Sequence, residues 1–341
     1  MRQLVVVDHG DLRWDDVPEP QIERDGEAIV RPLAVATCDL DVAVISGRYP
    51  MIGTAYPFGH ESVAEVVEVG DAVRAVAPGD RVVVPFQISC GACDRCRAGR
   101  TGNCAAHRPM STYGLGDMGG TAWGGHVADL VHVPHADAML VPLPDGVGPR
   151  TAASCSDNMP DAWRTVGPPL AAWPGADVLI MAGPSGTNSI GLYAAGLAHT
   201  LGAGRVVYVD DDADRLERAA RLGAEPREWA NDRRIGSFPV TVDASGEQER
   251  LHCALQSTAS DGICTSPSVY LDDPTMPLVA MYSRCCTFHT GRAHARRDIP
   301  AVFEAIDHGF DPDVVTTDVV AWDDAAEALA NPSMKMVIER S

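Results

Sequence analysis

The 341-residue sequence contains no apolar run long enough to cross a bilayer. Its opening, Met1-Arg2-Gln3-Leu4-Val5-Val6-Val7-Asp8, offers four apolar positions before an acid, too few for a signal-peptide core. Positive charge is scarce: 27 basic residues face 47 acidic ones, a formal net charge of −20. Such a chain repels polyanions, which argues against nucleic acid or an anionic membrane surface as a partner. A single small anion at a helix N-terminus is still permitted, because that field is local. No internal repeat or low-complexity linker breaks the chain. The expectation is a cytoplasmic globular protein, and its length exceeds what one core usually serves, so two domains are expected.

Cysteine, by contrast, is plentiful. Ten cysteines without a secretory signal read as metal ligands rather than disulfides. Cys90, Cys93, Cys96 and Cys104 form C-x2-C-x2-C-x7-C. The two-residue gaps let successive sulfurs face one point, and the longer loop returns the fourth to close a tetrahedron. Four thiolates fill every zinc position, so this site is structural, and it staples a lobe over residues 87–112 that is too small for a core of its own.

A second metal site is suggested by Gly59-His60-Glu61, with Cys38 lying 22 residues upstream. Alone, Cys38 reads as a core thiol and His60 as a turn histidine. Together with the cysteine lobe and a nucleotide-binding pattern, they read as two ligands of a zinc that keeps an open position. The third ligand should come from the helix start near residues 154–158, where Cys155 and Asp157 are both chemically possible and spacing does not choose. Asp41, one turn beyond Cys38, is a candidate acceptor for the His60 ring N–H.

Periodicity divides the chain. Residues 28–37, 63–69, 81–84, 126–133 and 139–143 read as strands, with a short helix after Cys38 ending near residue 45. Beyond about residue 150, strands at 177–182, 205–209, 239–243, 262–265 and 278–282 alternate with helices, followed by a helix over 298–308. That alternation implies a doubly wound parallel sheet. Its first strand runs into Gly183-Pro184-Ser185-Gly186-Thr187-Asn188-Ser189-Ile190-Gly191, which opens a helix. Gly183, Gly186 and Gly191 allow close backbone approach to a pyrophosphate seated at the helix start, beside Ser189 and Ile190. Asp210 ends the next strand, 19 residues past Gly191, where it can accept from a ribose diol and repel a 2′-phosphate. NAD is therefore expected as cofactor.

These motifs, with Pro78-Gly79-Asp80-Arg81-Val82, resemble the zinc-dependent alcohol dehydrogenases of the medium-chain dehydrogenase/reductase family over essentially the whole chain. The resemblance implies an α/β fold, with a GroES-like β-rich catalytic domain over 1–158 and 295–341 and a Rossmann domain over 159–294. It implies Asp157 rather than Cys155 as third ligand, Glu61 as a carboxylate that can approach the metal, and Arg215 among the cofactor-binding residues. It also implies two zincs per chain, a secondary alcohol as substrate, and a homodimer or homotetramer. Four positions depart from the family pattern. Leu40 stands where Ser or Thr passes the alcohol proton outward, and Asp161 stands where a threonine faces the nicotinamide. Ala64 and Asn188 replace glycines. The proton would then leave through water, Asp39, Glu61 or Asp161. Leu40 also motivates two rivals: NAD(P)H-dependent reduction of an imine or activated alkene, and a catalytically silent nucleotide-binding homologue.

Overall fold

The structure, a computed structural model, describes residues 1–340. Two compact units emerge. The first comprises residues 1–160, 293–300 and 316–341; the second comprises 161–292 and 301–315.

The first unit is built on an antiparallel pair. Strand Ala28–Ala36 is rich in small and β-branched residues, as is Glu61–Val69, which pairs with it. Among the described residues these sit inside a seven-stranded sheet, in which Arg81–Val84 and Val141–Pro142 extend one side and Met336–Glu339 with Asp318–Ala321 the other. Val30, Ala64, Val66, Val82 and Val84 bury one face of it in a common core. Each buried valine contributes about 1.5–3 kcal/mol relative to exposure. Residues 126–133 do not form the single long strand expected; only Val131–Val133 pairs, on Ala28–Val30, and Ala128 makes an isolated bridge to Gln3.

The second unit holds a six-stranded sheet, again among the described residues. Its order is Glu225–Glu228, Val206–Asp210, Val178–Met181, Phe238–Asp243, Thr258–Ser266 and Thr287–Thr290, and every pairing is parallel. Helices Asn188–Thr200, Ala213–Arg221 and Gln248–Ser257 supply the crossovers. One expected strand is a helix. Residues 278–282 lie in Leu278–Arg284, where only Met281 is buried and Val279 and Tyr282 are 84% and 87% exposed. A short apolar run carries no period of its own, and here the sheet position falls to Thr287–Thr290.

Candidate active site

Strand register assembles the candidate metal centre. Ala36 pairs with Glu61 and with Val337, so Cys38, His60 and Lys335 all emerge at one end of three adjacent strands. Gly59 has φ +90°, and a Cβ there would lie 3.0 Å from Val127 Cγ2, so only glycine lets the chain deliver His60 at this point. Cys38 leads into helix Asp39–Ile45 through a capping box: its Sγ accepts from Asp41 N at 3.4 Å, and Asp41 Oδ2 accepts from Cys38 N at 3.0 Å. Asp157 is docked from a different direction. The preceding Ser156 hydroxyl accepts from Ser62 N at 2.8 Å and donates to Ser62 O at 3.0 Å, which locks the 3₁₀ turn Ala153–Ser156 onto the strand after His60.

The result is a cluster in which ligand atoms of Cys38, His60 and Asp157 all lie within 4.8 Å of one another. His60 Nε2 is 3.4 Å from Asp157 Oδ2, and its Nδ1 is 3.7 Å from Asp41 Oδ1. Both ring nitrogens are buried and without a hydrogen bond. Burial works against the His60 imidazolium, yet Asp41, Cys38 and Asp157 outweigh it and hold the ring well above the ordinary histidine range. Burial and the Asp41 carboxylate push the Cys38 thiol up to about 12. A buried set of sulfur, imidazole and carboxylate that favours added positive charge suits Zn²⁺, and its three donors leave room for a fourth. Cys155 stands outside the set; its buried thiol points at Met159 Sδ, 3.7 Å away.

Glu61 also stands outside the cluster. Its Oε2 accepts from Lys335 Nζ at 2.9 Å, while Oε1 is buried without a hydrogen bond. Burial raises the Glu61 carboxyl to about 8 against the opposing pull of Lys335. Lys335 was not a residue the motifs pointed to, though a signal existed. It is the one lysine in the sequence, the other 26 of the 27 basic residues being arginine. Asn158 joins the same network, accepting from Lys335 Nζ at 2.9 Å and donating from Nδ2 to Asp157 Oδ2 at 3.3 Å.

The four lobe cysteines converge as their spacing predicts, all four sulfurs lying within 4.8 Å of one another. Backbone N–H groups point at them: Cys93 N at Cys90 Sγ, Cys96 N and Ala105 N at Cys93 Sγ, and Cys90 N at Cys104 Sγ, at 3.4–3.5 Å. The amides of Ala105 and Cys96 pull the Cys93 thiol down to about 6, favouring the thiolate that a metal needs.

In the second unit the glycine turn is drawn tight. Thr187 N donates to Ala244 O at 3.0 Å, and a Cβ on Gly186 would lie 1.9 Å from that oxygen. Helix Asn188–Thr200 starts where the middle glycine of the motif was expected, and Ser189, Ile190 and Gly191 fall in its first turn. Thr187 Oγ1 and Asn188 Oδ1 are buried there without hydrogen bonds. Gly183 rests on Arg250, whose guanidinium reaches Ala182 O and Asp211 Oδ2, both at 2.6 Å. Asp210, read as a ribose acceptor, is fully buried and already engaged. Arg215 clasps it through two hydrogen bonds of 2.6 and 2.7 Å, and Tyr208 Oη donates at 3.1 Å. Burial alone would raise Asp210, but Arg215 and the amides of Asp211 and Asp212 bring it below the usual carboxylate range. Asp212 caps helix Ala213–Arg221 by accepting from Arg215 N. Asp161, considered as a proton carrier, is nearly buried and paired with Arg164, which also reaches Gly291 O. Asp39 opens its helix, half-buried. Leu40 packs into the apolar core around Ile52.

A three-donor metal cluster beside a Cys₄ lobe, on a chain that also carries a parallel dinucleotide-type sheet, defines a zinc-type oxidoreductase. A family model described as the alcohol dehydrogenase GroES-like domain matches residues 24–145. A protein from Mycobacterium tuberculosis named probable zinc-binding alcohol dehydrogenase is 29% identical over 340 residues, covering 97% of this chain and 85% of that one. A glutathione-independent formaldehyde dehydrogenase of Pseudomonas aeruginosa is 32% identical over 251 residues, or 68% of this chain and 59% of its own length. Among solved structures, alcohol dehydrogenase TADH from Thermus sp. ATN1 superimposes with a TM-score of 0.86 at 26% identity, both chains being covered in full. The chain belongs to the zinc-dependent alcohol dehydrogenases of the medium-chain dehydrogenase/reductase family. No helix among the described residues is long and apolar enough to cross a membrane.

Proposed function

We propose that the chain is an NAD-linked oxidoreductase that interconverts a secondary alcohol and its carbonyl compound, using one zinc held by Cys38, His60 and Asp157 and a second held by Cys90, Cys93, Cys96 and Cys104. The observation that carries this reading is the convergence of the three donors with both His60 ring nitrogens buried and unsatisfied. Zn²⁺ bound there supplies Lewis acidity, lowering the pKa of an alcohol. Asn158 orients Asp157, Asp41 Oδ1 lies 3.7 Å from His60 Nδ1, and the Phe86 ring packs 5.8 Å from that of His60. Of the acids considered as proton carriers, Glu61 is paired with Lys335 and Asp161 with Arg164.

The orphaned hydroxyl and amide oxygens of Thr187 and Asn188, at the N-terminus of a 13-residue helix, support a pyrophosphate seat. Asp210 supports NAD over NADP, with Arg215 yielding one of its carboxylate contacts to a ribose hydroxyl. In the same unit, exposed Leu278, Val279 and Tyr282 lie on a helix just before the sheet's edge strand, which supports a homodimer or homotetramer.

The test joins metal analysis to a substrate panel of secondary alcohols, ketones and small aldehydes, formaldehyde among them because of the relative's name, with NAD and NADP in parallel. About two zincs per chain and NAD-linked alcohol turnover are expected. One zinc with no turnover overturns the reading, and a clear NADP preference overturns the role of Asp210. Leu40, apolar and packed, favours a second reading, reduction of an imine or activated alkene; measurable oxidation of secondary alcohols removes it.

A further inference from the structure

Lys335 is the only lysine of the chain, and it is fully buried. A buried ammonium is costly unless its protons are all taken up. Here Nζ donates to Glu61 Oε2, to Asn158 Oδ1 and to the carbonyl of Thr37. It is placed by its backbone as firmly as the metal ligands are. Met336 N donates to Thr37 Oγ1 at 3.0 Å, Thr37 N donates to Met336 O at 2.9 Å, and Cys38 follows immediately. Through Asn158 the same ammonium reaches Asp157, and it directly contacts Glu61, the residue after His60.

Glu61 is paired with one cation, Lys335, and directly follows His60, one of the three proposed zinc ligands. It is fully buried, one oxygen held by Lys335 and the other without a hydrogen bond. Deprived of its ammonium, a buried carboxylate either takes up a proton or turns to another positive charge; a zinc held by the preceding residue, His60, would be such a charge and would displace the proton. In charge, Cys38, Asp157 and Glu61 balance Zn²⁺ together with Lys335.

We propose that Lys335 is a positioning residue that holds Glu61 off the metal, so that the fourth zinc position stays open to substrate. This rests on the reading of Cys38, His60 and Asp157 as zinc ligands. When the ammonium is removed, Glu61 closes onto the metal: the metal is held more tightly and the site works less well.

The test uses wild-type protein with Lys335→Met, Lys335→Arg and the double variant Lys335→Met/Glu61→Gln. Lys335→Gln, which keeps hydrogen-bond donors, substitutes for the methionine variant if that does not fold. Zinc content of the wild type is measured first; one zinc per chain, in the cysteine lobe alone, sinks the underlying zinc reading and leaves the lysine without a metal to guard. With two zincs established, the Cys38 site is exchanged to Co²⁺ and read by visible absorption, and metal loss to a chelator is timed. The methionine variant is expected to show weakened d–d bands, as a four-coordinate ion gains a ligand, and metal loss slowed at least ~10-fold. Its kcat should fall more than its KM rises. The arginine and double variants should return to the wild-type spectrum. A folded methionine or glutamine variant with the wild-type cobalt spectrum and the wild-type rate of metal loss overturns the proposal.

Discussion

Ala36 and Glu61 face each other across the antiparallel pair at the centre of the first unit's sheet, and that one register sets Cys38 beside His60. Asp157, which arrives by a separate route, is the proposed ligand best suited to mutation because strand pairing does not depend on it. Asp157→Ala should lower zinc from about two to about one per chain, with the lobe metal retained. Since the metal supplies several kcal/mol toward the transition state, turnover should fall by roughly 10³-fold or more. Elemental analysis and initial rates check both figures; full zinc content in the variant would remove Asp157 from the ligand set.

Metal binding at this site should depend steeply on pH. Without metal, Cys38 is a thiol pushed up to about 12, and Asp41, Cys38 and Asp157 hold His60 well above its ordinary value against the effect of burial. Binding displaces the Cys38 proton and any proton on His60, so the logarithm of apparent zinc affinity should climb by at least about 1 per pH unit. Competition against a fluorescent chelator at three pH values measures the slope. A slope near zero would mean that the thiolate and neutral imidazole already exist in the free protein.

The Asp210–Arg215 pair predicts a different pH effect. Asp210 is fully buried and its folded pKa is depressed, so its stabilising contribution is present above the unfolded value and is lost as pH falls through the folded one. Arg215→Leu leaves an unpaired buried carboxylate, at a cost of about 3–5 kcal/mol. Burial then raises Asp210 instead, and acid unfolding should begin at higher pH than in the wild type. Circular dichroism followed from pH 7 to 3 shows the displacement, and coincident curves would assign the pair no role in stability.

Leu40 offers a gain-of-function test. Replacing it with Ser puts a hydroxyl where the family passes a proton, at the cost of some apolar packing around Ile52. Positioned proton transfer is worth about 10²–10⁴-fold when complete. If the proton step limits the wild type, Leu40→Ser should raise kcat for alcohol oxidation below neutral pH by at least ~10-fold. An unchanged kcat would show that the proton already leaves by another route.

Much of this was legible before any coordinates, for particular reasons. The cysteine lobe announces itself because four thiolates at short spacing have few other uses, and the parallel sheet because βαβ repeats impose a period. Cys38 and His60 were legible as a pair only through the company they keep. What stayed hidden depends on side chains meeting across long stretches of sequence. Lys335 lies 274 residues from Glu61, and no spacing rule links them. Arg215 and Arg164 seal Asp210 and Asp161, carboxylates that read from sequence as available for chemistry. Residues 278–282 failed for the opposite reason: five apolar-rich residues look alike as strand and helix until the neighbouring strand claims the sheet position.

The buried lysine also determines what the folded surface can react with. Every basic side chain that reaches solvent is an arginine or histidine, and the α-amino group of Met1 is itself tied to Val17 O at 2.9 Å. Reagents that acylate or reductively alkylate primary amines should find almost nothing to modify on the native protein. Aldehyde crosslinkers and amine-coupled sensor chips should hold it poorly, and a fluorophore aimed at amines should report the N-terminus alone.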